Sequence, residues 1–493
     1  AVTGNLDFPN VKSSLIRKSI EPRVDRQLFE FSYDYVGDLA ETASLMWPRK
    51  QGAEALEDVA LTDVVQDLQN VSRKNAQAML ERYLDGFTSQ ERYALLKLIT
   101  GGLRVGVSER LAKLALAEMS GIEVGEIEEV WHGIAAPYDE LFAWLDGDAD
   151  KPSLKDVPYF RPLMLATPLE DSDLEKRVPE DFMAEWKWDG IRVQLVGLNG
   201  EGRIYSRTGE DISASFPDIT PHITFTGVMD GELLVMREGE VQSFNDLQQR
   251  LNRKTVTKKM IDESPAYVRL YDILEWEEDD LKAMPTIERR EKLEVFCKDL
   301  AAESRFDLSP LVAFDDWDDL NKKRENVQEV KGYVHVEGMM IKHKQSPYLP
   351  GRPKGHWFKW KRTPPTVDCV LMYAQRGHGK RSSFYSDYTF GCWRPDKDGE
   401  LEIVPVGKAY FGFTDDELKQ LDKWVRDHTV ARFGPVREVK KELVLEIAFD
   451  SVHESTRHKS GVAMRFPRVS RIRWDKPAVE ADMLDNLIKL MRV

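Results

Sequence analysis

Cysteine is scarce in this 493-residue chain, which holds only Cys297, Cys369 and Cys392. Three thiols cannot build a disulfide framework or a four-cysteine zinc site, and they suit a reducing, intracellular compartment. Long apolar runs are missing as well. Nothing approaches the ~20 consecutive apolar residues of a membrane span, and no charged-then-apolar leader opens the chain. Nor is there an excess of positive charge: 70 Lys+Arg stand against 85 Asp+Glu, a formal net charge of −15. That balance argues against histone-like wrapping of nucleic acid but allows an enzyme with local basic surfaces. A soluble, cytoplasmic protein is expected. What the chain has is apolar material, 42% hydrophobic residues, and a length that suggests about three domains.

Residues 1–157 read as an all-α domain, because Leu68 to Leu84 and Glu91 to Ile99 repeat apolar residues at three- and four-residue spacing. Two Thr-Gly-x-Leu turns, Thr3-Gly4-Asn5-Leu6 and Thr100-Gly101-Gly102-Leu103, each precede an amphipathic stretch, with Ser108 as the N-cap of the second. An ordinary helix–loop–helix stop accounts for the pattern about as well as loops that offer N–H groups to phosphates; Arg104 and Arg110 favour the second reading. The first copy starts at residue 3, so the chain is expected to begin partway through a domain.

Asp146 to Pro162 has the composition of a linker. Beyond it, residues 158–365 alternate short strand-like runs (Glu185–Val196, Gly202–Arg207, Gly227–Met236, Tyr267–Leu274, Gly338–His343, His356–Lys361) with a helical segment from Thr286 to Leu300, an α+β pattern. Thr363-Pro364-Pro365 marks a second boundary. Residues 366–493 read as about five strands and one helix opened by the capping box Thr414–Glu417, which fits an all-β OB-fold.

The sharpest feature is Glu185-Trp186-Lys187-Trp188-Asp189-Gly190-Ile191-Arg192. In one extended strand Glu185, Lys187 and Asp189 share a face while the tryptophans pack behind. An isolated E-x-K-x-D is most often a surface ladder; the two tryptophans and the glycine point to a cleft instead. A lysine there becomes a nucleophile if its pKa falls, or if a base or a nearby cation assists it, and a phosphoryl centre is its natural electrophile. Arg192 and Arg207 are planar donors for ribose or phosphate oxygens. Asp230-Gly231-Glu232 and Glu337-Gly338 each place a carboxylate at a strand start for a ribose hydroxyl or Mg²⁺. Lys359 and Lys361, two apart on a strand, supply phosphate counter-charge, and Tyr271 a ring face for a purine. Each alone has a bland explanation, since Asp-Gly-Glu is often a turn and Lys-x-Lys a solvated edge; the ordered set is far rarer.

That order, K-x-D-G-x-R, S-R-x-G, D-G-E, E-G and K-x-K, resembles the covalent nucleotidyltransferases. The tail, Arg465-Phe466-Pro467-Arg468 followed by Arg473, Asp475 and Lys476, is similar to the last motif of ATP-dependent DNA ligases. The likeness spans nearly the whole chain and is nearest to the bacterial three-domain type, with a helical DNA-binding domain before the adenylation (nucleotidyltransferase) domain. It implies a ligase that seals 3′-OH/5′-phosphate nicks in duplex DNA, in repair or replication, with ATP and Mg²⁺ as cofactors. The resemblance makes Lys187 the adenylated residue and Glu185, Arg192, Arg207, Glu232, Tyr271, Glu337 and Lys359 contacts of ATP. Lys361, Arg465 and Arg468 reach the phosphates, and Glu232 and Glu337 are metal ligands. Gly101, Gly102, Arg104 and Arg110 become DNA contacts. The family commonly has Phe where this chain has Tyr271, and an Arg shortly before K-x-K; Arg352 is the candidate for that Arg and Lys354 its rival.

The implied partner is nicked DNA alone, bound by a monomer associated with the nucleoid. Lys254, Lys258 and Lys259 are expected to face DNA beside Arg104 and Arg110, with the acidic runs Glu275–Asp280 and Asp315–Asp319 turned away. An RNA ligase or a GTP-using capping enzyme shares the lysine motif but not the tail. A non-catalytic nick-binding protein has no need of Lys187 and Glu337, and an NAD⁺-dependent ligase needs four zinc-binding cysteines.

Overall fold

The computed structural model describes residues 6–48, 52, 55–103, 105–134, 137–175, 177–251, 253, 256–300, 304–327, 335–376, 384–455 and 459–491. The chain divides into two compact units, Ala1–Tyr159 and Phe160–Val493.

The first unit is helical, as its periodicity predicts. The described helices are Ser13–Ile20, Arg26–Val36, Leu39–Met46, Leu61–Asn70, Ala76–Gly86, Ser89–Thr100, Glu109–Ser120, Val124–Trp131 and Asp139–Leu145. One core gathers Phe8, Ile16, Phe29, Leu68, Leu80 and Leu96; a smaller one gathers Ile127, Trp131, Leu141 and Trp144. The expected single stretch from Leu68 to Leu84 is instead two helices, because Val71 leaves the helical backbone with ψ 133°. Ser108 caps Glu109–Ser120 as expected, accepting the Leu111 N–H at 3.2 Å.

In the second unit, two sheets meet. A five-stranded sheet contains Phe182–Trp188 between Val336–His343 and Leu311–Val312, with Trp357–Lys361 on the far side of Val336–His343. A seven-stranded sheet runs Glu201–Ser206, Ile191–Leu198, Gly227–Arg237, Ala266–Trp276, with the helix Thr286–Lys298 packed over its core of Val193, Met229, Leu270 and Leu293. The expected single strand Glu185–Val196 is therefore two strands in different sheets. The chain turns at Asp189-Gly190, where the Asp189 N–H donates to the His335 carbonyl at 3.1 Å. A Cβ on Gly190 would come within 2.5 Å of the Leu233 carbonyl, so only glycine fits this crossing. Behind the strand, Trp188 is buried with Leu234, Val241 and Val336, and Trp186 packs beside it.

The unit ends in an all-β OB-fold region richer than the five strands expected. Its long strand Thr366–Arg376 pairs with Tyr385–Pro395 on one side, and with Val436–Val439 and Val444–Ala448 on the other, so the sheet curls on itself. The capping box at Thr414 and Glu417 opens the helix Asp415–Asp427, which covers the core through Leu421 and Val425.

Candidate active site

Register explains how the motif residues converge. Across three neighbouring strands Lys187 pairs with Gly338 and Gly338 with Lys361; one step along, Glu185 pairs with Met340 and Met340 with Lys359. Paired residues share a face, so Glu185, Lys187, Lys359 and Lys361 look the same way. Plain alternation would turn Glu337 to the opposite face. A β-bulge intervenes: the register jumps from Val336↔Trp188 to Gly338↔Lys187, leaving Glu337 as the extra residue. Gly338 takes φ +146°, and a Cβ there would collide with the Trp360 carbonyl. The bulge aims the Glu337 carboxylate at Lys187, and the two form an ion pair.

The facing sheet repeats the device. Between Asp230↔Asp272 and Gly231↔Leu270 the register jumps again, and the extra residue is Tyr271. Asp230-Gly231-Glu232 is neither a turn nor a strand start, as expected from sequence, but the middle of the strand Gly227–Arg237. There Asp230 is fully buried and accepts hydrogen bonds from Arg192 at 2.6 Å, Tyr348 at 2.6 Å and Gln194 at 3.1 Å. Arg192 also donates to the Met164 carbonyl at 2.6 Å, and among the described residues its buried Nε has no hydrogen-bond partner. Its bonded donors therefore brace the cleft wall.

The electrostatics are those of a phosphate site. Burial lowers the Lys359 ammonium from its ordinary value, and Arg352, Lys187, Lys361 and Arg207 push the same way. Five cations thus converge, and Arg352 is among them. Burial alone would also lower Lys187, but Glu337, Glu232 and Asp189 outweigh it and hold the ammonium above its usual range. The neutral lysine that the chemistry needs is therefore not the state of the nucleotide-free protein. Burial alone would raise Glu337; Lys187 and Lys361 hold it below the usual carboxylate range. Among the described residues Glu232 has no such close partner, and burial pushes it up to about 7 against the pull of Lys187 and Arg192. Burial likewise pushes the Tyr271 phenol well above its ordinary value.

The tail motif divides into two parts. Arg465 bonds both oxygens of Asp189 at 2.9 and 2.6 Å and lies over the Phe244 ring at 4.1 Å. Arg468 donates to Asp450 at 3.0 Å, and Lys361 reaches the same carboxylate at 3.4 Å. Arg473 and Lys476 instead hold Asp368 at 3.2 and 2.7 Å. Glu185 is buried and its Oε1 accepts from Lys342 at 3.1 Å. Asp450, Phe244 and Lys342 had no signal in the sequence, since each gains meaning only from a partner distant along the chain.

The proposed phosphate loop at Gly101-Gly102 is a correction. The Gly101 N–H donates to the Leu98 carbonyl at 3.3 Å and the Gly102 N–H to Lys97 at 3.1 Å, closing the helix Ser89–Thr100. Neither amide is available to DNA. Arg110 is exposed in the first turn of Glu109–Ser120; Arg104, Lys254 and the first Thr-Gly turn (Thr3 to Asn5) lie outside the described residues. Lys258 and Lys259 are exposed. Of the acidic runs, Glu275 binds Arg161 at 2.5 Å and Lys282 at 3.0 Å, and Asp316 caps the helix Trp317–Glu325.

Family models match three segments: DNA ligase N terminus over residues 10–117, ATP dependent DNA ligase domain over 163–361, and ATP dependent DNA ligase C terminal region over 381–476. A probable DNA ligase of Koribacter versatilis is 35% identical over 430 residues, covering 82% of this chain and 73% of that protein. DNA ligase 1 of Korarchaeum cryptofilum is 28% identical over 468 residues, 92% of this chain and 82% of that protein. The solved chain Pmar-Lig_Pre shares the fold at a TM-score of 0.56 and 17% identity, covering 94% of this chain and 99% of its own. A lysine on a strand at the seam of two sheets, faced by cations and followed by an OB-fold, is the plan of a covalent nucleotidyltransferase. Within that class the chain belongs to the ATP-dependent DNA ligase family. It uses ATP and a divalent metal ion, typically Mg²⁺, and seals nicks in DNA through a lysyl-AMP intermediate. Among the described residues no helix is long and apolar enough to cross a membrane.

Proposed function

We propose that Lys187 is the residue that becomes adenylated, and that the cleft around it carries all three steps of nick sealing. The observation that carries this reading is the convergence of Lys187, Arg207, Arg352, Lys359 and Lys361 beside the bulged Glu337. Lys187 gives up its proton and forms a P–N bond to the α-phosphorus of ATP as pyrophosphate leaves. Lys359, Lys361, Arg352 and Arg207 offset the charge on the phosphates. Arg465 exchanges Asp189 for the departing pyrophosphate, with Arg468 beside it. The P–N bond then breaks as AMP passes to the 5′-phosphate of the nick. In the last step the 3′-hydroxyl displaces AMP and the phosphodiester closes. Arg192, Glu232 and Tyr271 hold the ribose and base throughout.

Two carboxylates, Glu232 and Glu337, face the cleft, and a magnesium ion is commonly held by one or two carboxylates together with substrate oxygens, so the donor set fits. Among the described residues no three acidic, His or Cys side chains cluster into an all-protein cage. Held by Glu232 and Glu337, such an ion would supply positive charge at the transferring phosphate.

Exposed Arg110, Lys258 and Lys259 support contact with the phosphates of nicked duplex DNA. We place the protein on chromosomal DNA in the cytoplasm, as a monomer serving repair or replication, since one chain carries every group the reaction needs. The first domain is taken as residues 1–157, the adenylation domain as 158–365 and the OB-fold as 366–493. The test is intact-mass measurement after incubation with ATP and Mg²⁺. One AMP per chain is expected, absent in both Lys187→Ala and Lys187→Arg. An adduct on Lys187→Arg places the nucleophile elsewhere, because a guanidinium offers no free lone pair.

A further inference from the structure

Lys342 is 1% exposed, in the middle of the unit and outside every motif described above. Its ammonium reaches three elements at once. It donates to Glu185 Oε1 at 3.1 Å on the strand Phe182–Trp188, and to the Tyr271 backbone carbonyl at 3.2 Å in the other sheet. It also lies over the Tyr271 and Trp357 rings, 4.7 Å from each centroid. A second buried cation joins it: Arg290, on the helix Thr286–Lys298, has Nη1 at 3.7 Å from the same Glu185 oxygen, and among the described residues that nitrogen makes no hydrogen bond.

Both cations act on Oε1, and among the described residues no hydrogen bond reaches Glu185 Oε2. A carboxylate oxygen is an acceptor only. It can take a hydrogen bond from the amino group at position 6 of adenine, whereas guanine or hypoxanthine would present a carbonyl there. A cation beneath an aromatic ring is attracted to its face and fixes the plane in which the other face can stack.

We propose that Lys342, supported by Arg290, is a positioning residue that sets the choice of nucleobase: one buried ammonium fixes both the Tyr271 face and the Glu185 edge of the purine subsite. The inference rests on the reading above in which Tyr271 holds the base, and on the contact with ATP that the family resemblance implies for Glu185. Lys342 touches no reacting atom. Its effect falls on nucleotide binding and base preference and spares the maximal rate of phosphoryl transfer.

The test is single-turnover adenylation of the full chain, measured across ATP and ITP concentrations, with melting temperatures as a folding check. For Lys342→Met the ATP concentration at half-maximal rate should rise about tenfold, and the preference for ATP over ITP should fall about tenfold, with the maximal rate within about threefold of the parent. Arg290→Met should move the same two quantities by less. Removing one member of a buried charge pair strands the other, so Lys342→Met can also fail to fold. The paired variant Glu185→Gln with Lys342→Met removes both charges, and its amide can turn either a donor or an acceptor to the base, so it should lose the ATP preference. An unchanged preference in either folded variant overturns the proposal. So does a fall in maximal rate shared equally by ATP and ITP. Tyr271→Ala separates the two levels. If it binds ATP normally, the base-site reading itself fails; if it binds ATP poorly while Lys342→Met binds normally, only the role of Lys342 fails.

Discussion

Arg465, in the OB-fold region, binds both carboxylate oxygens of Asp189, two residues beyond Lys187, at 2.9 and 2.6 Å. The pair joins residues 276 positions apart and gives Asp189 a cation that opposes, without overcoming, the upward push of its burial and of its neighbour Glu337. Together with the contact of Lys361 to Asp450, it holds the two parts of the unit face to face. An ion pair that is only partly shielded can be exchanged for a better anion, and pyrophosphate is one.

Arg465→Ala should therefore slow adenylation by at least about tenfold, the scale of losing one charged transition-state contact, while sealing of a nick already carrying 5′-AMP changes little. Single-turnover assays on the two substrates check this. Equal loss in both would show that Arg465 supports the fold and not the first step.

Because Glu337, Glu232 and Asp189 hold Lys187 above the usual lysine range, the free amine is scarce at neutral pH. The ratio kcat/KM for adenylation reports the free enzyme. It should climb with pH through the neutral range, without a plateau below about pH 9. A plateau near pH 7 would mean that Lys187 is already neutral before nucleotide binds.

Glu232 makes an opposite contribution to stability. Its carboxyl is raised from 4.5 to about 7 in the fold. Below the unfolded value both states carry the proton; as pH rises through the folded value the buried carboxylate must ionise, and stability is lost. The nucleotide-free protein should thus melt lower at pH 8 than at pH 5.5 by this contribution. Glu232→Gln should flatten the dependence and raise the stability at pH 8 by up to about 3 kcal/mol, seen as a higher melting temperature. Calorimetry at the two pH values measures it.

Gly338→Ala should destroy the bulge that aims Glu337. The added Cβ meets the Trp360 carbonyl, and φ +146° is a conformation that side-chain-bearing residues rarely adopt. A stability loss of about 2 kcal/mol or more, together with loss of adenylation, is expected. A variant with normal melting and normal adenylation would show that Glu337 reaches Lys187 without the bulge.

Affinity for nicked duplex should fall steeply with salt despite the net charge of −15. Arg110→Ala should weaken binding and reduce the magnitude of the slope of log affinity against log salt by about 0.9, one phosphate contact. A slope near zero in the parent protein would remove the phosphate contacts altogether.

The sequence by itself determined the local elements and the inventory of chemistry. Helical spacing marked the first unit, the Thr414–Glu417 box opened its helix, and the ordered motifs carried Lys187, Glu337, Lys359 and Lys361 to one cleft. Those signals are local: they depend on the spacing of neighbours along one helix or strand. Tertiary structure decided the rest. Glu337 and Tyr271 face the cleft only because each is the extra residue in a bulge, and a bulge is a relation between two strands that alternation along one strand cannot encode. The split of Glu185–Val196 between two sheets, and the meeting of Lys342 with Glu185 and of Arg465 with Asp189, are of the same kind. Each is fixed by a partner far along the chain, brought near by burial of the cores and not by anything written beside the residue itself.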